Sequence, residues 1–579
     1  MLTHLPNAKL AFLAILLSLL LAPGLASAAE PAWHETPAQR DARLAWWRAA
    51  RFGLFIHWGP VAQTGKEISW SRANTNPKCP NTGPIPAAEY DNLYKTFNPT
   101  GFNAAQWVEI AQETGAKYII PTVKHCDGFL LWDSKASDYN IMQSPFQRDF
   151  CRELSDAAHA AGMKIGWYFS PMDWKDPRFR SAQNAEFVQT MQAELTELLT
   201  HYGKIDVLWF DTDAGANDYD VTNTYALCRR LQPGIVIDNR LDIGGWAAWR
   251  AQAVGAWADY YTPEQVIGGF DMHRAWESCM TVSAHNQWAW GGASDGVKSL
   301  TTCLKMLANI VGGDGNMLLN IGPRPDGVID PAQVDLLKGM GAWLKVNGES
   351  IYGTRGGPYK PGPYGACTRK GNAVYIHILA GSGDPILLPP LPMKVTSSAL
   401  LRGGKAVVEQ TPERLCISVP AEARDPADTV VKLVLDGPAM EIPAMSPALR
   451  SLTTGKKATA SNVYQGKSQY GADKAVDANP DTRWATDAGT HSAWLEVDLG
   501  SPQTVSRAII EQAYPELMRV RKFAIEYWQD GQWKPCYTGA DLGAVLAATF
   551  SPITAQRLRL NITESSDGPT ITEFHLFSR

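Results

Sequence analysis

The stretch Lys204 to Asp213, KIDVLWFDTD, decides how the rest of the chain is read. Its apolar run carries the β-branched residues Ile205 and Val207 and ends abruptly in two carboxylates, Asp211 and Asp213. A buried parallel strand that delivers an acid to the rim of a sheet has this form. The rim at the C-terminal ends of such strands is where α/β enzymes place their chemistry. Taken alone, the stretch also allows Asp211 to cap a helix or start a turn, so its neighbours have to decide.

Working outward, similar apolar runs recur in Phe52–Trp58, Lys117–His125, Met163–Ser170, Gly234–Arg240, Trp276–Val282 and Asn316–Gly322. Helical patterns lie between several of them, over Phe150–Ala161, Asn184–His201, Asn223–Leu231, Gly296–Ile310 and Pro331–Val346. Repeated strand-then-helix units imply a parallel sheet. Their number over this length suits a (β/α)8-like barrel better than an open sheet, and neither GxGxxG nor a P-loop supports the open form. Polar and aromatic groups close successive strands: His57 and Trp58, His125 and Asp127, Tyr168, Asp211, and Arg240. In a barrel these ends converge on one pocket.

The flanks are of different character. Ala29–Ala42 reads as a polar lead-in. From about Gly356, short runs alternating with Gly and Pro turns predict a small antiparallel β-sandwich to residue 437. Pro438, Pro443 and Pro447 suggest a linker over 438–449, and 450–579 reads as a second, all-β unit. The expected division is therefore 1–28 signal, 29–355 barrel, 356–437 sandwich, 438–449 linker and 450–579 C-terminal sandwich. Lys9, the run Leu10–Leu21 and the small residues Ala26-Ser27-Ala28 predict a cleaved export signal, hence a periplasmic or secreted protein not held in a membrane.

Composition narrows the function classes. A net charge of -5 shows no basic excess, which argues against nucleic acid as a partner. The 21 tryptophans are an unusual number; many indoles can simply be core, but flat amphipathic rings also suit sugar faces. Nine cysteines without CxxC pairs fit neither a zinc site nor a disulfide scaffold, and leave room for one or two disulfides after export.

The segments RFGLFIHWG, KHCDGFLLWDSK, GWYFSPMDW, VLWFD, WESCMT and GNMLLNIGPRPDG occur in an order that resembles the α-L-fucosidases of glycoside hydrolase family 29. The likeness covers roughly Ala42–Thr354. It implies a retaining exo-α-L-fucosidase acting on fucosylated oligosaccharides or glycoconjugates, with Asp211 as nucleophile and Asp213 as its rival. For the acid/base it implies Glu264 in YYTPEQ, with Glu277 in WESCMT as the alternative. It brings His57, Glu67, Trp70, His125, Tyr168, Trp209 and Arg240 to the sugar, with Trp288 or Trp290 as an apolar wall. Many relatives have His-His where this chain has His125-Cys126, which bears on substrate range. No catalytic cofactor is expected. A silent fucose-binding protein and an exo-glycosidase for α-L-galactose are the alternative readings.

In the last segment, ATASNVY, KAVDANPDTRWAT, AWLEVDLG and ITEFHLF resemble a discoidin, or F5/8 type C, module of the galactose-binding-like jelly-roll class, similar to carbohydrate-binding module family 32. That likeness implies a structural calcium at Asp477, Thr482 and Glu573, all hard oxygen donors. It leaves open whether the module binds sugar and whether linkage preference is for α1,3/4 fucosides.

Overall fold

The computed structural model describes residues 35–578 apart from 75–81, 213–217, 244–253, 383–384, 413, 448–450, 480–481, 515–518 and 544. The export segment, Cys79 and Asp213 lie outside the described residues.

Seven parallel strands form one curled sheet: β1 (Phe52–Ile56), β2 (Tyr118–Lys124), β3 (Lys164–Phe169), β4 (Val207–Phe210), β5 (Val236–Ile237), β6 (Glu277–Thr281) and β7 (Asn316–Ile321). Their order is β5-β4-β3-β2-β1-β7-β6. Between the two edges runs Asp259–Gln265, which never forms a regular strand but bridges both neighbours. Asp238 pairs in parallel with Tyr260, Tyr261 with Trp276, and Glu264 with Cys279. This segment takes the sixth place in an eightfold ring. The expected run Gly234–Arg240 is shorter than read, because Arg240 already opens a one-turn helix, Arg240–Ile243.

Side chains alternating along the strands fill the ring. Phe55, Tyr118, Ile120, Tyr168, Val207, Trp209, Tyr260, Cys279 and Leu318 form one buried cluster together with Leu44 and Trp47. Those last two come from a helix, Pro37–Ala50, where the sequence suggested a polar lead-in. Its signal is a capping box: the Thr36 side chain accepts from Gln39, whose side chain answers the Thr36 backbone, and Pro37 opens the first turn. The helix closes the N-terminal end of the barrel and leaves the C-terminal end open.

Beyond the barrel, a five-stranded and a three-stranded antiparallel sheet share one core. Part of the expected linker belongs to this unit: Ala439 and Ile442 are buried in its core, and Met445 N–H donates to Pro358 O at 2.9 Å. The C-terminal unit is also all-β, but its strands are not uniformly short. Ala493–Gln512 and Val545–Ser565 are long strands whose pairing shifts at bulges. No disulfide joins any of the eight described cysteines, so the room left for disulfides is not used among them. No helix among the described residues is long and apolar enough to cross a membrane.

Candidate active site

Arg240 is the centre of the barrel mouth. It is buried, and its guanidinium divides its donors between two acids: Nη1 to Asp211 Oδ1 at 2.7 Å and Nη2 to Glu264 Oε2 at 2.8 Å. Nε donates to Thr262 Oγ1 at 2.8 Å, and the flat face rests on the Trp209 ring, 4.4 Å from its centroid. Burial opposes this charge, but the two carboxylates outweigh it and hold the guanidinium more firmly protonated than usual. Asp211 and Glu264 both remain open to solvent, with side chains 21% and 33% exposed. A planar fork with acids on both Nη groups fixes their mutual position as a flexible lysine could not.

Asp211 directly follows β4, and its second oxygen accepts from Tyr168 Oη at 2.7 Å. Burial and then the Asp211 charge push the Tyr168 phenol well up, so it stays a donor. The next residue ties this corner to β5, with Thr212 Oγ1 donating to Arg240 O at 2.7 Å. Flat groups from consecutive strand ends pile up behind the acids. His125 stacks on Tyr168 at 7° and 5.3 Å, and Tyr168 stacks on Trp209 at 18° and 5.5 Å. Arg240 then completes the series.

His57, after β1, packs against Tyr168, His125 and Trp288. Its Nδ1 meets Asn320 Oδ1 at 2.7 Å, while Asn320 Nδ2 donates to Trp288 O at 2.7 Å. That second bond fixes the amide's orientation, so Nδ1 carries the proton and Nε2 is left as an acceptor. Burial lowers both His57 and His125 to about 3, with mutual repulsion adding to the effect at His57. Both rings are therefore neutral near pH 7. His125 Nδ1 is held by Ser69 Oγ at 2.6 Å.

Glu67 is half-buried beside the Trp288 loop. Its carboxylate accepts from the backbone N–H groups of Trp288 (2.7 Å), Ala289 (3.0 Å) and Ile68 (2.9 Å). It thus fixes the Trp288 loop, and burial raises its pKa against those three donors. Trp288 reaches His57, whereas Trp290 turns its N–H to Asp330 at 3.3 Å, beside the helix Pro331–Asn347. Trp70 meets Trp174 edge-on at 5.2 Å on the rim. Cys126 is buried with its thiol 3.3 Å from Ser170 Oγ, so its departure from His-His sits under the β3 loop. Glu277, on β6, is wholly buried inside the barrel, with one oxygen taken by the Tyr118 hydroxyl.

The residues that the motifs did not single out are the braces: Ser69, Thr262, Asn320 and Tyr90. Tyr90 Oη donates to Asp127 at 2.8 Å, and Asp127 N–H in turn donates to Ser69 Oγ at 2.9 Å. Only Asp127 carried a signal, its place after a strand.

In the C-terminal unit, Thr482 Oγ1 donates to Asp477 at 2.9 Å and lies 3.0 Å from Asn479 O. Glu573 is buried, and neither of its carboxylate oxygens has a hydrogen bond of ordinary geometry. Burial, then Asp477 and Glu511, push it up to about 8. Glu511 stands directly across the sheet from Glu573. Two acids opposed in this way, with orphaned oxygens and carbonyls nearby, are a donor set suited to a hard cation. Among the described residues no three His, Cys, Asp or Glu side chains gather at metal-ligand spacing, so hydroxyl and carbonyl oxygens would have to share the coordination.

The family model for α-L-fucosidase matches residues 22–349, and that for the F5/8 type C domain matches residues 457–575. Plasma α-L-fucosidase from Rattus norvegicus is 33% identical over 348 residues, 56% of this chain and 73% of that protein. The Homo sapiens plasma enzyme is 34% identical over 351 residues, 56% and 72% respectively. Among solved structures, α-L-fucosidase isoenzyme 1 from Paenibacillus thiaminolyticus is similar at 33% identity and TM-score 0.61, over 69% of this chain and 99% of that one. A Bacteroides thetaiotaomicron GH29 α-L-fucosidase, solved as a covalent intermediate trapped with 2-fluoro-fucosyl fluoride, aligns at 26% identity and TM-score 0.60, over 70% and 98%.

Proposed function

The chain belongs to the α-L-fucosidase family of glycoside hydrolases, and from that premise we propose that it removes terminal α-L-fucose from fucosylated glycans with retention, by double displacement at Asp211 and Glu264. The observation that carries this reading is the shared guanidinium of Arg240. Acids on the two Nη groups of one fork are brought towards the roughly 5–5.5 Å separation of a retaining pair, closer than the roughly 6.5–9.5 Å of an inverting one. The trapped intermediate of the Bacteroides relative supports the same chemistry.

In the first step Asp211 attacks the anomeric carbon and forms the glycosyl ester. The bond to the leaving oxygen breaks as Glu264 gives that oxygen its proton. In the second step Glu264 takes a proton from water, the water oxygen attacks the anomeric carbon, and Asp211 departs as carboxylate. Arg240 accepts no proton, so Glu264 Oε1, the oxygen away from the guanidinium, carries the transferred one. Glu277 is enclosed and Glu264 stands at the mouth, which favours Glu264 for this role. Asp211 follows its strand directly, and this position supports it over Asp213. His57 Nε2 and His125 serve the sugar hydroxyls, while Trp209 and Trp288 cover its apolar edge.

Around this centre the proposal extends to three further points. The leader Lys9 to Ala28 supports export. The appended F5/8 type C region supports branched α1,3/4 fucosides as substrates, and Asp477, Thr482 and Glu573 are proposed to hold a structural calcium. Product analysis on α1,2-, α1,3-, α1,4- and α1,6-linked fucosides tests the preference. For the acid/base, Glu264→Ala is expected to lose far more activity on poor leaving groups than on activated aryl fucosides, with rescue by azide. Equal losses on both substrates, or that same behaviour in Glu277→Ala, would move the role elsewhere.

A further inference from the structure

Glu277 is the alternative acid/base that the proposed reaction leaves without a task, and it occupies an unusual place. It is fully buried at the start of β6, inside the ring of strands. Tyr118, from β2, donates to its Oε2. Beside the carboxyl stand the indole N–H groups of Trp47 and Trp209 and the hydroxyl of Tyr260, all lowering its proton affinity. Neither these three donors nor Glu277 Oε1 has a hydrogen bond of ordinary geometry. They are buried polar atoms, and burying them unpaired is unfavourable unless they satisfy one another. The donors come from the N-terminal helix, β2, β4 and the bridging segment, so one carboxyl gathers four parts of the barrel.

Of the four donors, Trp209 also stands in the active site. The edge of its indole faces Glu277, and its face carries the Arg240 guanidinium at 4.4 Å and stacks with Tyr168. Arg240 and Tyr168 are the two groups that hydrogen-bond Asp211. We infer that Glu277 is a positioning residue: from inside the barrel it fixes the tilt of Trp209, and through that ring the seat of Arg240 beneath Asp211 and Glu264. The inference rests on the roles proposed above for those two acids. It gives Glu277 no contact with substrate and no proton to transfer.

The chemistry of the four donors makes the idea specific. A tyrosine hydroxyl can accept as well as donate, but an indole N–H only donates. Glutamine in place of Glu277 can therefore keep its carbonyl oxygen towards the two indoles and turn its amide towards Tyr118, whose hydroxyl then accepts. A side chain without oxygen cannot hold the indoles at all. Glu277→Gln should thus rescue what Glu277→Met loses.

The test uses the full chain, with kcat on an aryl α-L-fucoside divided by the number of competent sites. That number is counted by burst titration with 2-fluoro-fucosyl fluoride. A merely structural role would lower the count of sites and the melting temperature but leave kcat per site unchanged. We expect kcat per site to fall about 30-fold in Glu277→Met and to stay within about threefold in Glu277→Gln, the scale on which small misplacements of catalytic groups act. Trp209→Phe should show a similar loss, and combining it with Glu277→Met should add nothing further. An unchanged kcat per site in Glu277→Met, a Gln variant as poor as Met, or losses that multiply in the double variant would each overturn the inference. If Glu277→Met does not fold, Trp209→Phe decides alone: a kcat per site within about threefold of the parent overturns it. Failure of the parent enzyme to give any trapped ester would overturn the retaining mechanism beneath it, a result distinct from all of these.

Discussion

Arg240 and Asp211 share a 2.7 Å charge-assisted hydrogen bond, and the other Nη of the same guanidinium binds Glu264 at 2.8 Å. One buried cation therefore sets the positions of both proposed catalytic acids, and its own position is set by Thr262, Trp209 and the chain turn after β5.

Arg240→Lys should be nearly as damaging as Arg240→Met, because an ammonium cannot bond two carboxylates from fixed fork positions while lying flat on Trp209. Loss of kcat/KM on an aryl fucoside by about 10²- to 10³-fold is expected for both variants. A lysine enzyme within about tenfold of the parent would show that charge suffices and the fork does not matter.

Tyr168→Phe removes one neutral donor to Asp211 and leaves the stacked ring in place. A hydrogen bond to a charged group is worth about 1.5–3 kcal/mol, which corresponds to a fall in kcat of about 10- to 100-fold. Steady-state kinetics should show that fall with KM changed less than kcat. A change confined to KM would place Tyr168 in sugar binding alone.

The two pocket histidines make a pH prediction. Both are held at about 3 in the folded protein, against an ordinary value of 6.5. Between those values the unfolded chain binds more protons, so their contribution to stability is complete above about 6.5 and is lost as pH falls towards 3. Glu277, raised to about 7 from 4.5, acts in the opposite sense, its contribution being lost as pH rises through that window. Calorimetry of His57→Asn should show a smaller drop in barrel melting temperature between pH 7 and pH 5 than the parent. In Glu277→Gln the drop should be steeper. Parallel curves for all three proteins would contradict these assignments.

Calcium should raise the melting temperature of the C-terminal unit, and chelation should reverse the effect. Glu573 is held at about 8, so a bound cation has to displace a proton and affinity should increase as pH rises through that value. Glu573→Gln should abolish the calcium response. A response that survives this substitution would mean that the cation sits elsewhere.

Much of the site is legible in the sequence, because it lies where periodic strands stop. His57, His125, Tyr168, Asp211 and Arg240 each follow an apolar run, and consecutive strands have to bring such ends together. The sixth barrel position was not readable: Asp259–Gln265 makes only isolated bridges, and its sequence, with Pro263 in the middle, has no alternating pattern to mark it. The helix Pro37–Ala50 was hidden by its polar first turns, although Thr36 and Gln39 carried its cap. The Glu67 carboxylate accepts from the Trp288 loop, a pairing across 221 residues that no local pattern records. Glu277 was equally opaque, since a carboxylate within a strand reads the same whether it faces a pocket or a ring of indoles.

The central claim is that Asp211, seated by Arg240 and Tyr168, is the nucleophile of a retaining reaction. Peptide mapping by mass spectrometry after inactivation with 2-fluoro-fucosyl fluoride tests it most directly. The account predicts a single fluorofucosyl ester on Asp211 and none in Asp211→Asn. A label on Asp213, Glu264 or any other carboxylate would contradict it.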